Sequence, residues 1–376
     1  MSRSGQVPWR RQATQAALAT LASVVIGGVA PVPGSTAVAQ SSFSVGISDS
    51  DPGTFLHPQW PGLRVRFARA VVPWDIATRP ENDPRRAEFL QWAFNARATG
   101  VEPFVVMAAS DQHRFRGSCS RRAPTRDEFL TAFTGLRSAF GVNVISVWNE
   151  PNFNKSCSKK GQPKRPLVVT PSGRAFYDPS CPAKATTDNC GPQAAAFYWR
   201  LANAACPTCT LPAGEFDSVA NDVYWDRYKA FLRGNKPKLW SIHPHSDVNR
   251  SQNGDLSAPT TTSFLNQLGG RWADSHVWLT EVGAFKRRKR QGAGAKARPK
   301  LFKDDSHTRA IAFTLGLPAR NSRITRLYYF NFQNNKPRNG KGECPIQDRG
   351  LLAPSLKCKY DQRERVRPGY SLIAGR

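Results

Sequence analysis

Hydrophobic positions along this chain fall into two alternating rhythms: short apolar runs of strand length, then longer stretches with helical spacing. Phe43 to Ser48 (FSVGIS) is the first run, and Leu63 to Asp75 (LRVRFARAVVPWD) is the second. RRAEFLQWAFNARATG then places apolar residues at helical intervals and stops at Gly100. Glu102 to Ser110 is a continuous apolar run. TRDEFLTAFTGLRSAFG follows, with a Thr cap, acids in its first turn and a terminal Gly141. Val142 to Asn152 is the fourth run. After an insertion rich in Cys and Pro, AAAFYWRLANAA is helical, Thr210 to Asp217 strand-like and VYWDRYKAFLRG helical. Lys238 to Asp247, the short helix TSFLNQLGG, His276 to Phe285, the helix HTRAIAFTLGLPA and Arg326 to Asn334 complete the series.

The order yields eight strand candidates with helices between most of them. Alternating strands and helices predict a parallel sheet, and eight such units close naturally into a barrel. An open doubly wound sheet would call for a Gly-rich phosphate turn after an early strand, and none is present. The expectation is therefore α/β: a (β/α)8 TIM barrel over residues 41–376, one domain, with a Cys-rich insertion after strand four.

Residues 1–40 read differently. Arg3, Arg10 and Arg11 precede the apolar stretch Ala16 to Ala30, and Ala37-Val38-Ala39-Gln40 has the small-residue spacing of a signal-peptidase site. The stretch is short for a membrane anchor and is broken by Pro31, Pro33 and Gly34, so a cleaved signal peptide and a secreted product are expected. Eight cysteines fit that oxidising destination. Neighbour pairing would join 206 with 209, 181 with 190 and 344 with 358, although sequence does not fix connectivity. The formal charge is +27, or +24 without the three arginines of the signal. Such a surplus suits a polyanionic partner, an acidic glycan among them, and equally a solvated basic surface.

Two acids close strand candidates. Glu150 ends the fourth in Val-Trp-Asn-Glu-Pro-Asn, and Glu281 ends the seventh in Val-Trp-Leu-Thr-Glu-Val-Gly. A charge just past a strand buried on both faces needs partners or a task. Catalytic groups of such barrels lie at the C-terminal strand ends, and strands four and seven face each other across the mouth. Paired carboxyls at that place suit glycoside cleavage, in which one protonates the leaving oxygen and the other attacks the anomeric carbon.

Trp148-Asn149-Glu150-Pro151-Asn152, with Thr280-Glu281-Val282-Gly283 three strands later, resembles glycoside hydrolase clan A. The local wording is similar to family 39 and related bacterial family 5 enzymes. The resemblance implies a retaining glycosidase with Glu150 as acid/base and Glu281 as nucleophile. Asn149 would bind a sugar hydroxyl, and Arg69 would support the nucleophile from strand two, just before Trp74. His243 and His245 match the strand-six position that lines the site, and Phe330 the strand-eight aromatic that floors the sugar. Val282, His245 and the lack of a Trp in strand eight depart from many relatives and leave the sugar platform open. No cofactor and no metal are implied.

Several positions keep a plainer alternative. The plain alternative for Arg69 is a core ion pair. His243 and His245 alternate, so on a straight strand only one faces inward, and either could be a structural histidine. A zinc site from that pair would need a third ligand for which the sequence gives no pattern. Glu215 and Asp217 end the fifth run and read as loop caps or subsite residues. The acid-free run from Lys286 to Lys300 either steers an acidic glycan or is a solvated loop, and with only Phe285 and Phe302 at its flanks it does not suit nucleic acid. The reading that follows is a secreted, monomeric retaining glycosidase acting on a poly- or oligosaccharide. Its alternative is a non-catalytic basic barrel that binds acidic polysaccharide, and a transglycosylase would use the same two acids.

Overall fold

Each apolar run that was long enough and flanked by turn residues becomes a strand. In order they are β1 (Ser44–Ser48), β2 (Phe67–Pro73), β3 (Glu102–Ala108), β4 (Val144–Ser146), β5 (Ala213–Asp217), β6 (Leu239–His243), β7 (His276–Val282) and β8 (Ile324–Phe330). The computed structural model describes residues 43–158, 164–181, 190–218, 222–288, 300–334, 345, 347–354, 358, 361–362 and 364–374. The expected signal segment, the basic stretch from Lys289 to Pro299, Cys344 and parts of the insertion lie outside the described residues.

The helices between the strands are α1 (Pro84–Ala98), α2 (Arg126–Phe140), α3 (Gly191–Ala205), α4 (Asp222–Phe231), α5 (His245–Gln252), α6 (Pro259–Gln267) and α7 (Asp304–Arg320). α2 starts where the sequence places it. Thr125 caps the backbone of Glu128, the Glu128 carboxylate reaches back to the Thr125 N–H, and Gly141 ends the helix in the left-handed region.

All eight strands run parallel, in the order β4, β3, β2, β1, β8, β7, β6, β5. The two end strands meet through a few bonds that nearly close the ring. Ile145 N–H donates to Thr210 O at 3.1 Å, Thr210 N–H to Asn143 O at 2.9 Å, and Ser146 Oγ to Gly214 O at 2.9 Å. The fold is the expected (β/α)8 barrel, with the Cys-containing insertion between β4 and α3.

Side chains on one strand face alternate with period two. In the lower barrel the inward positions are apolar: Phe104, Val106, Val144, Trp278 and Tyr328 form their own buried cluster. Arg326 lies over the rings of Phe67 and Trp278, 3.7 Å and 4.2 Å from their centroids. The outward positions of the strands pack against the helices as the larger core. With its lower half filled, the barrel leaves only its C-terminal end for polar side chains.

Two strands break the alternation. The register skips a residue between Ala213 and Phe216 of β5 opposite Trp240 and Ile242, and Gly214 there has φ +84°. A residue inserted at this bulge turns Glu215 inward, where strict alternation from Ala213 would put it outside. β7 skips likewise between Leu279 and Val282. Glu281 thus reaches the mouth although it directly follows the inward Thr280.

Strand ends fall short of the expected ones. β4 stops at Ser146 because the chain turns at Glu150, whose φ is +47°. β6 stops at His243 because α5 starts at His245. Disulfides join Cys119 to Cys157, Cys181 to Cys190 and Cys206 to Cys209, so two of the neighbour pairings are found. Cys358 is disulfide-bonded too. Among the described residues no helix is long and apolar enough to cross a membrane.

Candidate active site

Arg69 is the centre from which the site is built. It points inward from β2, two residues above Phe67, and is fully buried. A guanidinium there needs partners for its charge. Nη1 donates to Ser48 Oγ at 2.8 Å and to Glu281 Oε2 at 3.2 Å. Nη2 donates to Asn149 Oδ1 at 2.8 Å and to Glu215 Oε2 at 2.7 Å. One planar cation therefore gathers residues from β1, β2, β5, β7 and the turn after β4.

His243, at the end of β6, lies beside it. Nε2 contacts Glu215 Oε2 at 2.8 Å and Nδ1 faces Glu150 Oε1 at 3.5 Å. Burial alone would lower its pKa. The hydrogen bonds with Glu150 and Glu215 and the charge of Glu281 outweigh burial and raise it to about 9. His243 is thus a buried imidazolium between carboxylates.

His245 reaches the same centre from the first turn of α5, with Nε2 3.7 Å from Glu281 Oε1 and 4.0 Å from Glu150 Oε1. Both histidines face the site, contrary to the expectation from strand alternation. The strand ends between them, so its period no longer applies. Burial and the charges of Arg349 and His243 hold His245 well below the usual histidine range, and it is neutral. Arg349 Nη1 donates to its Nδ1 at 3.1 Å, which leaves the ring proton on Nε2, directed at the carboxylates.

One carboxylate oxygen each of Glu150 and Glu281 and one nitrogen each of His243 and His245 all lie within 4.8 Å of one another. The fold thereby supplies the further donors that a metal site from the histidine pair lacked in the sequence. The four side chains are also held by hydrogen bonds to Arg69, Lys155, Glu215 and Arg349.

Glu150 follows Asn149, whose N–H donates to Met107 O at 2.8 Å, and its own N–H donates to Glu215 O at 2.9 Å across the barrel seam. Its Oε2 accepts from Lys155 Nζ at 2.7 Å. Burial works to raise its pKa, but the His243 hydrogen bond and the charges of Lys155 and His243 prevail, and the carboxyl is held far below the usual range. Asp217, two residues beyond Glu215, moves the other way: burial and the Glu150 charge raise its pKa.

Of the residues singled out in the sequence, Arg69, Asn149, Glu150, His243, His245 and Glu281 are brought together. Phe330 ends β8 half-buried, its ring 5.6 Å from the Arg349 guanidinium. Trp74 directly follows β2 at the same end of the barrel. Its ring is buried against His113, with centroids 4.5 Å apart, and its indole N–H has no hydrogen-bond partner among the described residues. Lys286, first of the basic run, turns inward onto Asp304 at 2.7 Å, and Arg288 lies over the Phe285 ring. These two are therefore not part of a free loop.

Sequence reasoning undervalued Glu215 and did not single out Lys155 or Arg349. Glu215 is no loop cap: it is fully buried within β5 and pairs with Arg69. Gly214, a glycine inside a strand run, was the available sign of a bulge that would turn it inward. Burial works against the charge of Glu215, and Arg69 and His243 more than offset it, so its pKa is lowered. A pocket of about 140 Å³ opens beside Glu150, lined among others by Arg121, Phe153, Lys155 and Tyr177. A wider concavity of about 580 Å³, from Ser257 to Gln267 on the outer helices, has no ionisable side chain in its lining.

No protein-family model matches the chain, and no curated protein sequence matches it. Solved structures do. Xylanase B from Clostridium stercorarium is similar over 90% of this chain and 98% of its own, at 11% identity and a TM-score of 0.53. A GH128 endo-beta-1,3-glucanase from Amycolatopsis mediterranei aligns over 89% of this chain and 99% of its own, at 13% identity and a TM-score of 0.46. A glycoside hydrolase family 5 enzyme from Prevotella bryantii aligns over 78% and 89%, at 13% identity and a TM-score of 0.47. The class defined here is a (β/α)8 barrel with paired carboxylates at its C-terminal mouth. The likeness to the xylanase supports the barrel.

Proposed function

We propose that this protein is a retaining glycoside hydrolase that cleaves a poly- or oligosaccharide, with Glu281 as nucleophile and Glu150 as acid/base. One observation carries the reading: oxygens of the two carboxylates lie within 4.8 Å of each other at the barrel mouth. Retaining enzymes hold their carboxyls about 5–5.5 Å apart, whereas inverting ones leave about 6.5–9.5 Å for a water. Glu281, held by Arg69 and faced by the Nε2–H of His245, attacks the anomeric carbon. Glu150 protonates the departing oxygen, then takes a proton from the water that releases the glycosyl group. Asn149, fixed by Arg69, offers its amide N–H to a hydroxyl of the reacting sugar. The disulfides suit a secreted destination.

A panel of aryl glycosides and polysaccharides, uronate polymers included, tests the activity. Glu281→Ala and Glu150→Gln should each lower turnover by about 10⁴-fold, and wild-type rates in both would refute the assignment. Binding without any product, with affinity falling steeply in salt, would favour the non-catalytic reading.

A further inference from the structure

Glu150 faces the wrong way electrostatically for an acid. Lys155 Nζ is bonded to its Oε2 at 2.7 Å, and an ionised carboxylate has no proton to give. What holds Lys155 there is also what builds the neighbouring pocket. Lys155 and Arg121 are joined through one residue: Arg121 N–H donates to Leu167 O at 2.7 Å, and Leu167 N–H donates to Lys155 O at 2.8 Å. The disulfide between Cys119 and Cys157 ties the same two segments two residues away from each cation. Both side chains line the pocket beside Glu150.

Arg121 has no answer to its charge. Its guanidinium forms no hydrogen bond or ion pair among the described residues, and its Nε is buried without a partner. The nearest acid acting on it, Asp111, already pairs with Arg79 at 2.7 Å and Arg85 at 2.9 Å, while Arg114 and Arg85 add like charge. A partly buried cation left this way has a vacancy for an anion. Phe153 and Tyr177 supply apolar walls, with Lys155 Nζ 4.5 Å from the Phe153 ring centroid.

We propose that this pocket receives an anionic substituent on the leaving-group portion of the substrate, bound by Arg121 and Lys155, and that its arrival draws Lys155 off Glu150. The inference rests on the glycosidase reading and names its substrate class: a glycan bearing a carboxylate or a sulfate ester beside the scissile bond. Released from Lys155 and approached by a second anion, Glu150 gains proton affinity while His243 still faces its other oxygen. The acid is therefore armed by the substrate that needs it. Lys155 acts here as a positioning residue through Glu150. The other charged or titratable groups that face Glu150 are His243 and His245 from β6 and α5, Arg69 from β2, Glu281 from β7, Asp217 from β5 and Arg349. None of them is altered in the variants below.

The test uses 2-nitrophenyl, 4-carboxy-2-nitrophenyl and 4-sulfo-2-nitrophenyl glycosides of whichever sugar the protein turns over, with the wild type, Arg121→Met and Lys155→Met. The intrinsic reactivity of each aglycone is common to all three proteins and cancels in the comparison. The ratio of kcat/KM for a charged over the neutral aglycone should fall at least tenfold in each variant, and the arm with the larger fall tells carboxylate from sulfate-type recognition. On the neutral glycoside, Lys155→Met should shift the basic limb of the pH profile upward, because Glu150 loses a cation, and Lys155→Arg should restore it. Unchanged ratios, or a limb that does not move, would overturn the proposal. If no glycoside of any sugar is cleaved, the glycosidase reading fails by itself. The pocket is then read by calorimetry with glucuronate and glucose 6-sulfate in buffers of different ionisation enthalpy. Binding with proton uptake in the wild type that weakens in Arg121→Met would still support an anion site, and equal binding in both would sink it.

Discussion

At the scale of single residues, Arg69 decides more than any other side chain. It neutralises Glu215 from within the barrel while also orienting Asn149 and Glu281. Arg69→Met should leave Glu215 buried beside a lone imidazolium and lower unfolding free energy by about 3–5 kcal/mol, read as a denaturant midpoint. His243 makes a prediction in pH. Its folded pKa of about 9 lies above the ordinary value of 6.5, so its stabilisation is complete below pH 6.5 and is lost as pH rises through 9. Thermal stability should decline across that window by up to about 3 kcal/mol, at ~1.4 kcal/mol per unit, and His243→Asn should flatten the decline. Glu150, Glu281 and Arg69 were legible in the sequence because each ends or interrupts an apolar run with a charge. Lys155 and Arg349 were not, since nothing local marks a basic residue in a loop as one that folds back onto a carboxylate.

At the scale of elements, existence was easier to read than ends. All eight strands were visible as apolar runs, but where each stopped depended on what the chain does next, as at the turn of Glu150 and the start of α5. The bulge in β5 shows why the candidate site was only partly legible: alternation assigns Glu215 to the outside, and one glycine reverses the assignment. Gly214→Ala should therefore be costly. Its φ is +84°, and an added Cβ would fall 1.7 Å from the Phe216 ring. Gly234 has the same φ with nothing within 4 Å. Gly234→Ala should cost about 1 kcal/mol, and Gly214→Ala about 2 kcal/mol more, with turnover per folded molecule falling only in the latter. Urea titrations beside active-site titration would separate the two effects.

At the scale of the whole molecule, frame and rim differ in what holds them. The barrel is held by strand ladders and apolar packing, whereas the bridge between Cys119 and Cys157, 38 residues apart, ties the segment before α2 to the segment after β4 at the mouth. Replacing both cysteines by serine should lower global stability by no more than about 4 kcal/mol. The far-ultraviolet circular dichroism should stay that of the wild type, while discrimination between charged and neutral glycosides erodes. A loss of secondary structure in parallel with activity would show instead that the rim supports the frame.

The seam between β4 and β5 has one more consequence. Glu150 hangs from β5 by a single backbone bond across that join, and Glu215 sits on its far side. Every other neighbouring pair of strands can zip up without completing this junction. During renaturation from urea, the return of catalysis should accordingly trail the return of helical signal, and the interval between them would time the final closing of the ring.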